Sequence, residues 1–308
     1  MSVTIFGSAN MDLVVQVPRI PEAGETLTGS AFTLGLGGKG SNQAVAAARL
    51  GANTAFVGRV GDDAYGTAVR EGLLSAGVDI AALNRDATAA TGVALVVVAD
   101  NGENTIIVVP GANGAVDSHD LQNLGHRLAG GGVLLVQLEL PMPMVVAAVV
   151  AAGQHRVRVI LDPAPAPAGG LPAELYAPHV ILTPNESEAA ALVGYGLDTD
   201  AAAERAARTL LERGVSAVVL KLGERGICWA QDGDVGWAPA LPVVVRDTVG
   251  AGDAVNGALG VALDEGSPFP EAVRWAVAAG AVAVTRAGAF AAMPTRAEVL
   301  AQLEPSVG

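Results

Sequence analysis

The run DTVGAGDAVNGAL, Asp247–Leu259, sets three small residues, Gly250, Ala251 and Gly252, directly before a carboxylate, Asp253, and an apolar, helix-compatible stretch. The first N–H groups of a helix lack internal partners and carry partial positive charge. Glycines ahead of such an end let an anion approach the backbone. A carboxylate at that place repels the anion if binding is the only task. It makes sense as a base that deprotonates a hydroxyl attacking a phosphoryl group, while the amides receive the developing charge. The simpler use of Asp253 is as a helix cap, and on this run alone capping is the better reading.

A second glycine turn lies in LGLGGKGSNQAVAAARLGA, Leu34–Ala52. Gly35, Gly37 and Gly40 satisfy G-x-G-x-x-G, a weak pattern that here does not follow the first strand, where a dinucleotide fold would place it. A phosphate-binding G-x-x-x-x-G-K-[ST] fails on spacing, because Thr33 occupies the first glycine position and Gly40 follows Lys39. Against 16 arginines the chain has two lysines, Lys39 and Lys221, and each sits in a glycine-containing turn, GGKGSN and KLGERG. A lysine among arginines suggests that a compact point charge is wanted; chance placement on a solvated surface is the plain alternative.

Further polar residues follow apolar runs. Asn10 and Asp12 come after VTIFGSA, Glu139 after VLLVQL, and Asn185 and Glu188 after VILTP. Carboxyl ends of strands are where open α/β sheets bind ligands. Asp12, Asn42 and Glu139 suit the vicinal hydroxyls of a sugar, and Asn185 with Glu188 suits water-coordinated Mg²⁺ near phosphates. Singly, each is more simply a cap or turn residue; their shared position favours the joint reading.

These residues need a scaffold, and the hydrophobic pattern supplies one. Val3–Phe6, Ala55–Val60, Val133–Gln137, Val157–Leu161, Val180–Thr183 and Ala217–Leu220 read as buried strands. Ser41–Leu50, Ala64–Ser75, Pro143–Ala152 and Asp200–Arg213 read as helices closed by Gly51, Gly77, Gly153 and Gly214. GDDAYG, Gly61–Gly66, reads as the turn and cap of the second. The alternation predicts a mainly parallel sheet covered on both faces. Leu13–Val17 and Glu25–Leu34 are extended without a helix, and Gly92–Ala99 and Thr105–Val109 form a hairpin around DNGE. Both excursions return to glycine-rich turns, so they are expected to form a small separate sheet acting as a lid, rather than an edge extension of the main one.

The chain has 308 residues, 51% hydrophobic and only 16% charged, with a formal net charge of -13. Such a field repels nucleic acid and anionic lipid, so neither is an expected partner. The single cysteine, Cys228, excludes an intrachain disulfide and a multi-thiolate metal site and reads as a small buried hydrophobe. His119, His126, His155 and His179 show no metal spacing and read as surface residues. The start MSVTIFGSAN lacks a basic n-region, and MVVAAVVAAG is too short to span a bilayer; a soluble, cytoplasmic protein is expected.

From GSANMD through GGKGSNQAVAAARLGA, VQLE, TPNESE and KLGERG to DTVGAGDAVNGAL, the sequence resembles the ribokinase family of carbohydrate kinases, in order from about Gly7 to Pro294. The two long glycine signatures make this resemblance specific. It implies a ribokinase-like three-layer α/β/α sandwich, one kinase domain over 1–308, with a β lid from about 13–34 and 92–110. It implies ATP-dependent phosphorylation of a sugar's primary hydroxyl, O5 of D-ribose for the members acting on ribose. By resemblance, Asp253 is the catalytic base, and Gly250, Ala251 and Gly252 form the anion hole for the γ-phosphate. Asn10, Asp12, Gly38, Lys39, Gly40, Ser41, Asn42 and Glu139 match the sugar-contacting set. Asn185 and the run Lys221, Leu222, Gly223, Glu224, Arg225 and Gly226 match nucleotide contacts, with Val277 beside adenine where a polar side chain can stand. Lys221 takes the place of a threonine seen in some relatives. Glu188 matches the Mg²⁺-associated acid. Asp247, Val249, Ala283, Arg286, Gly288 and Ala292 match a K⁺ site built largely from carbonyl oxygens, Ala292 replacing a serine found in some members. The lid implies a homodimer contact.

Three other readings compete. The acceptor is fructose, deoxyribose or a nucleoside within the same fold; or the chain is a sugar sensor that keeps the pocket without catalysis, which the intact Asp253 turn opposes. A dinucleotide oxidoreductase rests only on Gly35–Gly40.

Overall fold

The computed structural model describes residues 2–304; the unit expected over 1–308 extends past these at both ends. The first half runs β1 Val3–Phe6, β2 Asn10–Val17, β3 Ala31–Gly37, α1 Lys39–Arg49, β4 Thr54–Gly61, α2 Ala64–Ser75, β5 Asp79–Asp86, β6 Gly92–Ala99, β7 Asn104–Val109, α3 Ser118–Leu128, β8 Val133–Gln137 and α4 Met142–Gln154. It continues with β9 Arg158–Asp162, β10 Val180–Leu182, α5 Glu186–Val193, α6 Asp200–Leu211, β11 Ala217–Lys221, β12 Ile227–Gln231, β13 Asp234–Ala238, α7 Ala251–Asp264, α8 Phe269–Ala283 and α9 Arg296–Leu303.

Nine strands form the main sheet in the order β13-β12-β11-β10-β9-β8-β1-β4-β5, parallel except for the β11-β12-β13 meander. The apolar runs are continuous because both faces are covered. Ile5, Leu135, Ile160 and Val219 pack with α1, α7 and α8, whereas Phe6, Leu134, Leu161 and Leu220 pack with α3, α4 and α6. Successive strand residues point to opposite faces, so each strand fills two cores of a three-layer α/β/α sandwich.

The two excursions form a separate sheet, ordered β3-β2-β6-β7. Two boundaries differ from expectation. β2 begins at Asn10, so Asn10 and Asp12 ride on the small sheet instead of ending the first strand. The extended segment expected from Glu25 joins the ladder only from Ala31, after one bond from the Ser30 N–H to the Gln16 carbonyl at 2.9 Å; the preceding GETLTGS is mostly polar and has no apolar face to bury. The helix stops are also instructive. Gly51, Gly77 and Gly214 follow their helices at positive φ. Gly153 lies inside α4, and the positive φ falls on Arg156 instead. A Cβ on Gly153 would come within 2.7 Å of the His179 ring, so close packing explains this glycine. His179 is thereby half-buried, its Nε2 2.9 Å from the Val149 carbonyl, in contrast to the exposed His119, His126 and His155.

Asp63 caps α2 as expected, accepting from the Gly66 N–H at 2.7 Å. Cys228 is buried, which pushes its thiol up to about 12. No described helix is long and apolar enough to cross a membrane.

Candidate active site

The carboxyl ends of β1, β8, β9, β10 and β11 open on one edge of the main sheet, where the parallel order reverses between β1 and its neighbours β8 and β4. A cleft of about 920 Å³ lies there. Its wall includes Lys39, Asn185, Glu188, Lys221, Leu222, Gly223, Glu224 and Gly226, the turn Gly250–Asp253, and Val277. Apolar side chains, among them Leu241, Val243, Val245 and Val255, complete it. Arg225 is not on this wall. Its guanidinium donates to the Leu197 carbonyl at 2.7 Å and pairs with Glu186, tying the loop after α5 to the start of that helix.

Gly250 is the N-cap of α7 at φ 77°, and no side chain caps the first turn. An L-residue there is strained, and its Cβ would meet the Ala289 backbone at 2.8 Å. The Ala251 N–H donates to the Thr248 carbonyl at 3.2 Å, and the turn carries the helix's positive end to the cleft. Asp253, on the same turn, is buried. Its Oδ2 accepts from Asn42 Nδ2 at 2.9 Å and its Oδ1 from Gln43 Nε2 at 3.0 Å. Burial raises its pKa to about 6, opposed by Lys39 and assisted by Asp162. Such a carboxyl is ionised at neutral pH yet basic enough to accept a proton.

On the other side of Asp253 lies a polar floor. Gly38, the N-cap of α1, also has positive φ, 90°, and also lacks a side-chain cap. Here the protein fills the turn itself. The Lys39 N–H donates to Glu139 at 3.1 Å, the Ser41 N–H to the Ser8 carbonyl at 2.9 Å, and the Ser8 hydroxyl to Glu139. A Cβ on Gly40 would collide with the Ser8 backbone at 2.6 Å, so the helix start lies directly on that strand end. Asp12 faces this floor: burial, then Glu139 and Asp253, raise its pKa to about 6. Asn10 is held by Asn113, whose Nδ2 donates to Asn10 Oδ1 at 2.7 Å. The floor and the cleft share Lys39 and Asp253.

The two lysines converge on this junction. Burial disfavours the Lys39 charge, but Asp253, Asp162, Glu139 and Glu188 outweigh it and hold its pKa above the ordinary value. Lys221 Nζ donates to Asp162 Oδ1 at 2.8 Å and lies beside Gly252, 3.4 Å from where a Cβ would stand.

Asn185 and Glu188 form the capping box of α5: Glu188 N–H donates to Asn185 Oδ1 and Asn185 N–H to Glu188 Oε2, both at 2.8 Å. Capping and ligand roles coexist, because the same carboxylate lines the cleft. Burial and the neighbouring Asp162 raise the Glu188 pKa, against the pull of Lys221. A buried acid beside another acid is a setting a dication relieves. Magnesium is commonly held by one or two carboxylates, with water and phosphates completing its shell, so this residue fits it. No group of three potential ligands converges among the described residues.

The remaining expected ion residues are near one another. Asp247 Oδ1 accepts from Val249 N–H at 3.0 Å and Oδ2 from Gly288 N–H at 2.8 Å. The Ala283 carbonyl already accepts from Arg286 N–H at 3.1 Å, and Arg286 pairs with Glu298. Ala292 is fully buried beside the same loop.

Sequence reasoning missed Ser8, Gln43, Asn113, Gln137 and Asp162. Asp162 ends β9, so the strand-end rule that picked Glu139 reaches it too. Gln43 is a polar residue in the alanine-rich α1, fully buried; its neighbour Gln137, at the end of β8, donates to its Oε1 at 2.7 Å.

A family model described as pfkB family carbohydrate kinase matches residues 1–296. The chain is 38% identical over 303 residues to ribokinase of Haemophilus influenzae, covering 98% of both chains. It is 32% identical over 295 residues to deoxyribokinase of Salmonella typhimurium, covering 96% of both. Its fold matches Arabidopsis thaliana ribokinase complexed with ribose and ATP, with a TM-score of 0.90, 34% identity and 99% of each chain covered. The chain belongs to the pfkB family of carbohydrate kinases and is a phosphotransferase.

Proposed function

We propose that this pfkB-family kinase transfers the γ-phosphoryl group of ATP to O5 of D-ribose, giving ribose 5-phosphate and ADP. The observation that carries the reading is the position of Asp253, one buried carboxyl at which a polar floor and an uncapped glycine turn meet. The similar Arabidopsis protein holds ribose and ATP in this fold, and the H. influenzae relative is a ribokinase.

In this reading ribose lies beneath the small sheet. Asp12 accepts hydrogen bonds from two ring hydroxyls, Asn10 and Asn42 present amides, and Gly38, Lys39, Gly40, Ser41 and Glu139 complete the floor. Asp253 takes the proton from the attacking hydroxyl. Amides of Gly250, Ala251 and Gly252 receive the charge that develops on the transferring group. ATP occupies the cleft along Asn185 and Lys221–Gly226, with adenine against Val277. Glu188 would hold Mg²⁺, which would supply charge neutralisation on the phosphates. Asp247 gathers the loops containing Val249, Ala283, Arg286, Gly288 and Ala292, whose carbonyls would hold an activating K⁺. Closure of the small sheet excludes water, the competing acceptor.

One face of that sheet supports the homodimer. Leu34, Leu13, Leu95 and Ile107 stand in register across its four strands, and Leu34, Leu95 and Ile107 are exposed. A contiguous apolar row on a surface marks an interface. The enzyme is placed in the cytoplasm, where ATP is supplied.

The test is ADP release from Mg²⁺–ATP with ribose, 2-deoxyribose, fructose and nucleosides, with and without K⁺. Ribose is expected to give the highest kcat/KM, and K⁺ to raise it. The second acceptor with support is 2-deoxyribose, given the deoxyribokinase relative. A higher kcat/KM for deoxyribose overturns the choice of sugar, and ribose binding without turnover makes the chain a sensor.

A further inference from the structure

A buried side-chain array beneath the glycine turn links its two charged sides. Gln43 Nε2 donates both to Asp253 Oδ1 at 3.0 Å and to Asp162 Oδ2 at 3.2 Å. Gln137 fixes the orientation of that amide by donating to Gln43 Oε1. The other oxygen of Asp162 holds the Lys221 ammonium. The ion pair is nearly closed to solvent, with side-chain exposures of 12% and 3%. Removing two charges from water is costly, and only their close attraction repays it. The Lys221 chain is long and flexible, and only Asp162 among the described residues pairs with it.

Resting on the kinase reading, we propose that Asp162 is a positioning residue for phosphoryl transfer: it fixes the Lys221 ammonium at the Gly250–Gly252 turn, where that charge meets the transferring group, and through the shared Gln43 amide it sets the basicity of Asp253. The ammonium beside Gly252 adds a fixed positive charge to the helix amides, where charge develops during transfer. Asp162 has no direct bond to Asp253; the amide between them accommodates two carboxylates around one donor nitrogen. The charged groups facing Asp253 are Lys39 from α1, Asp162 from β9 and Asp12 from β2. Asp162 and Asp12 favour its protonated form, and Lys39 opposes them. Glu188 faces the Asp162–Lys221 pair from α5.

Two single substitutions pull this array in opposite directions. Asp162→Asn removes a negative neighbour and is expected to lower the titration midpoint of Asp253. Lys221→Met leaves Asp162 unpaired and is expected to raise it. Each shift is expected to be about half to one pH unit, smaller than the roughly 1–3 of a charge in direct contact, because the Gln43 amide stands between. Side-chain carboxyl ¹³C NMR of the free protein, with Asp253→Asn to assign the signal, reads these midpoints without turnover. In steady state Lys221→Met is expected to lower kcat about 10–100-fold with ribose KM within twofold, a loss confined to the transition state. Asp162→Asn is expected to lose about tenfold, and Lys221→Arg to recover part of the Met loss. Circular dichroism establishes that each variant is folded. If Asp162→Asn does not fold, Lys221→Met carries the test, because its side chain ends at the cleft wall. Opposite midpoint shifts support the array; midpoints unmoved in the folded variants overturn it, whatever the turnover. Opposite shifts in a protein that releases no ADP with any sugar overturn the kinase reading and leave the array standing.

Discussion

Two helices begin at the junction from a glycine at positive φ and meet different surroundings. α1 starts from Gly38 and α7 from Gly250, both at positive φ and both without a side-chain cap. At α1 the protein supplies its own acceptors, Ser8 and Glu139. At α7 the turn faces the cleft. A helix start without a side-chain cap makes a rigid floor where its acceptors are internal, and in the proposed reading an anion receptor where the turn faces the cleft. Specificity follows from the difference. In the proposed reading, the buried Asn10 and half-buried Asp12 would reject a sugar that leaves them unpaired, whereas an apolar wall such as Val277 would discriminate weakly.

The comparison breaks most completely at Asp253, which both turns share. Asp253→Asn is expected to lower kcat by ~10²–10⁴-fold, the usual loss for one general base, with ribose affinity by calorimetry within a few fold. Near-normal turnover would remove the base from the mechanism.

The next test sets one turn against the other. Gly38→Ala and Gly250→Ala both place an L-residue at positive φ, at about 1–3 kcal/mol, and both press a Cβ against backbone at 2.8 Å. About tenfold or greater losses of kcat/KM are expected, falling on ribose KM for Gly38→Ala and on ATP KM and kcat for Gly250→Ala. Identical kinetic signatures would show that the two turns are not separate receptors.

Acidity sharpens the comparison further. Asp12 and Asp253 are each raised to about 6, one on the floor and one at the junction. In the proposed mechanism both work as carboxylates, so kcat/KM for ribose is expected to rise with pH through about 6 and to be level above it. Below that point two protons must be lost, and the logarithmic slope approaches two. Asp12→Asn is expected to reduce it to one, while kcat, measured with ribose bound, retains the single titration of Asp253. An unchanged slope in Asp12→Asn would place the second proton elsewhere.

The smallest effect belongs to the apolar wall. Val277→Ala is expected to raise ATP KM only a few fold, since truncating one partly used methyl pair removes about 1–2 kcal/mol at most, and to leave ribose KM alone. A large change in ribose KM would mean that the two sides are coupled through α8.

Much of the main sheet was legible because its strands are continuous apolar runs and three of their helices end in glycine. The strand β5, the meander β12-β13 and the helices α3, α5, α8 and α9 were not read; most of their patterns are short or mixed, and α8 is apolar nearly all round. In the site, the turn alone favoured a helix cap for Asp253, a role it does not take at α7; only the joint pattern of motifs singled it out, while Glu139 was picked from its place after a strand. Gln43 looked like one polar residue in an alanine-rich helix, and nothing local distinguishes its buried face. Asp162 was one strand end among several, with a proline-rich segment after it that reads as a turn.

Backbone geometry was set by the sequence alone. Glycines permit positive φ at 38 and 250, Asn185 and Glu188 make their own cap, and apolar strands require cover on both faces; all of these act over a few residues. Only the tertiary structure decided which charges meet. Strand order puts residues 43, 162, 221 and 253 around one point, and burial there moves two aspartates to about 6. Desolvation and Coulomb interaction depend on distance through space, and a linear pattern carries no record of that distance.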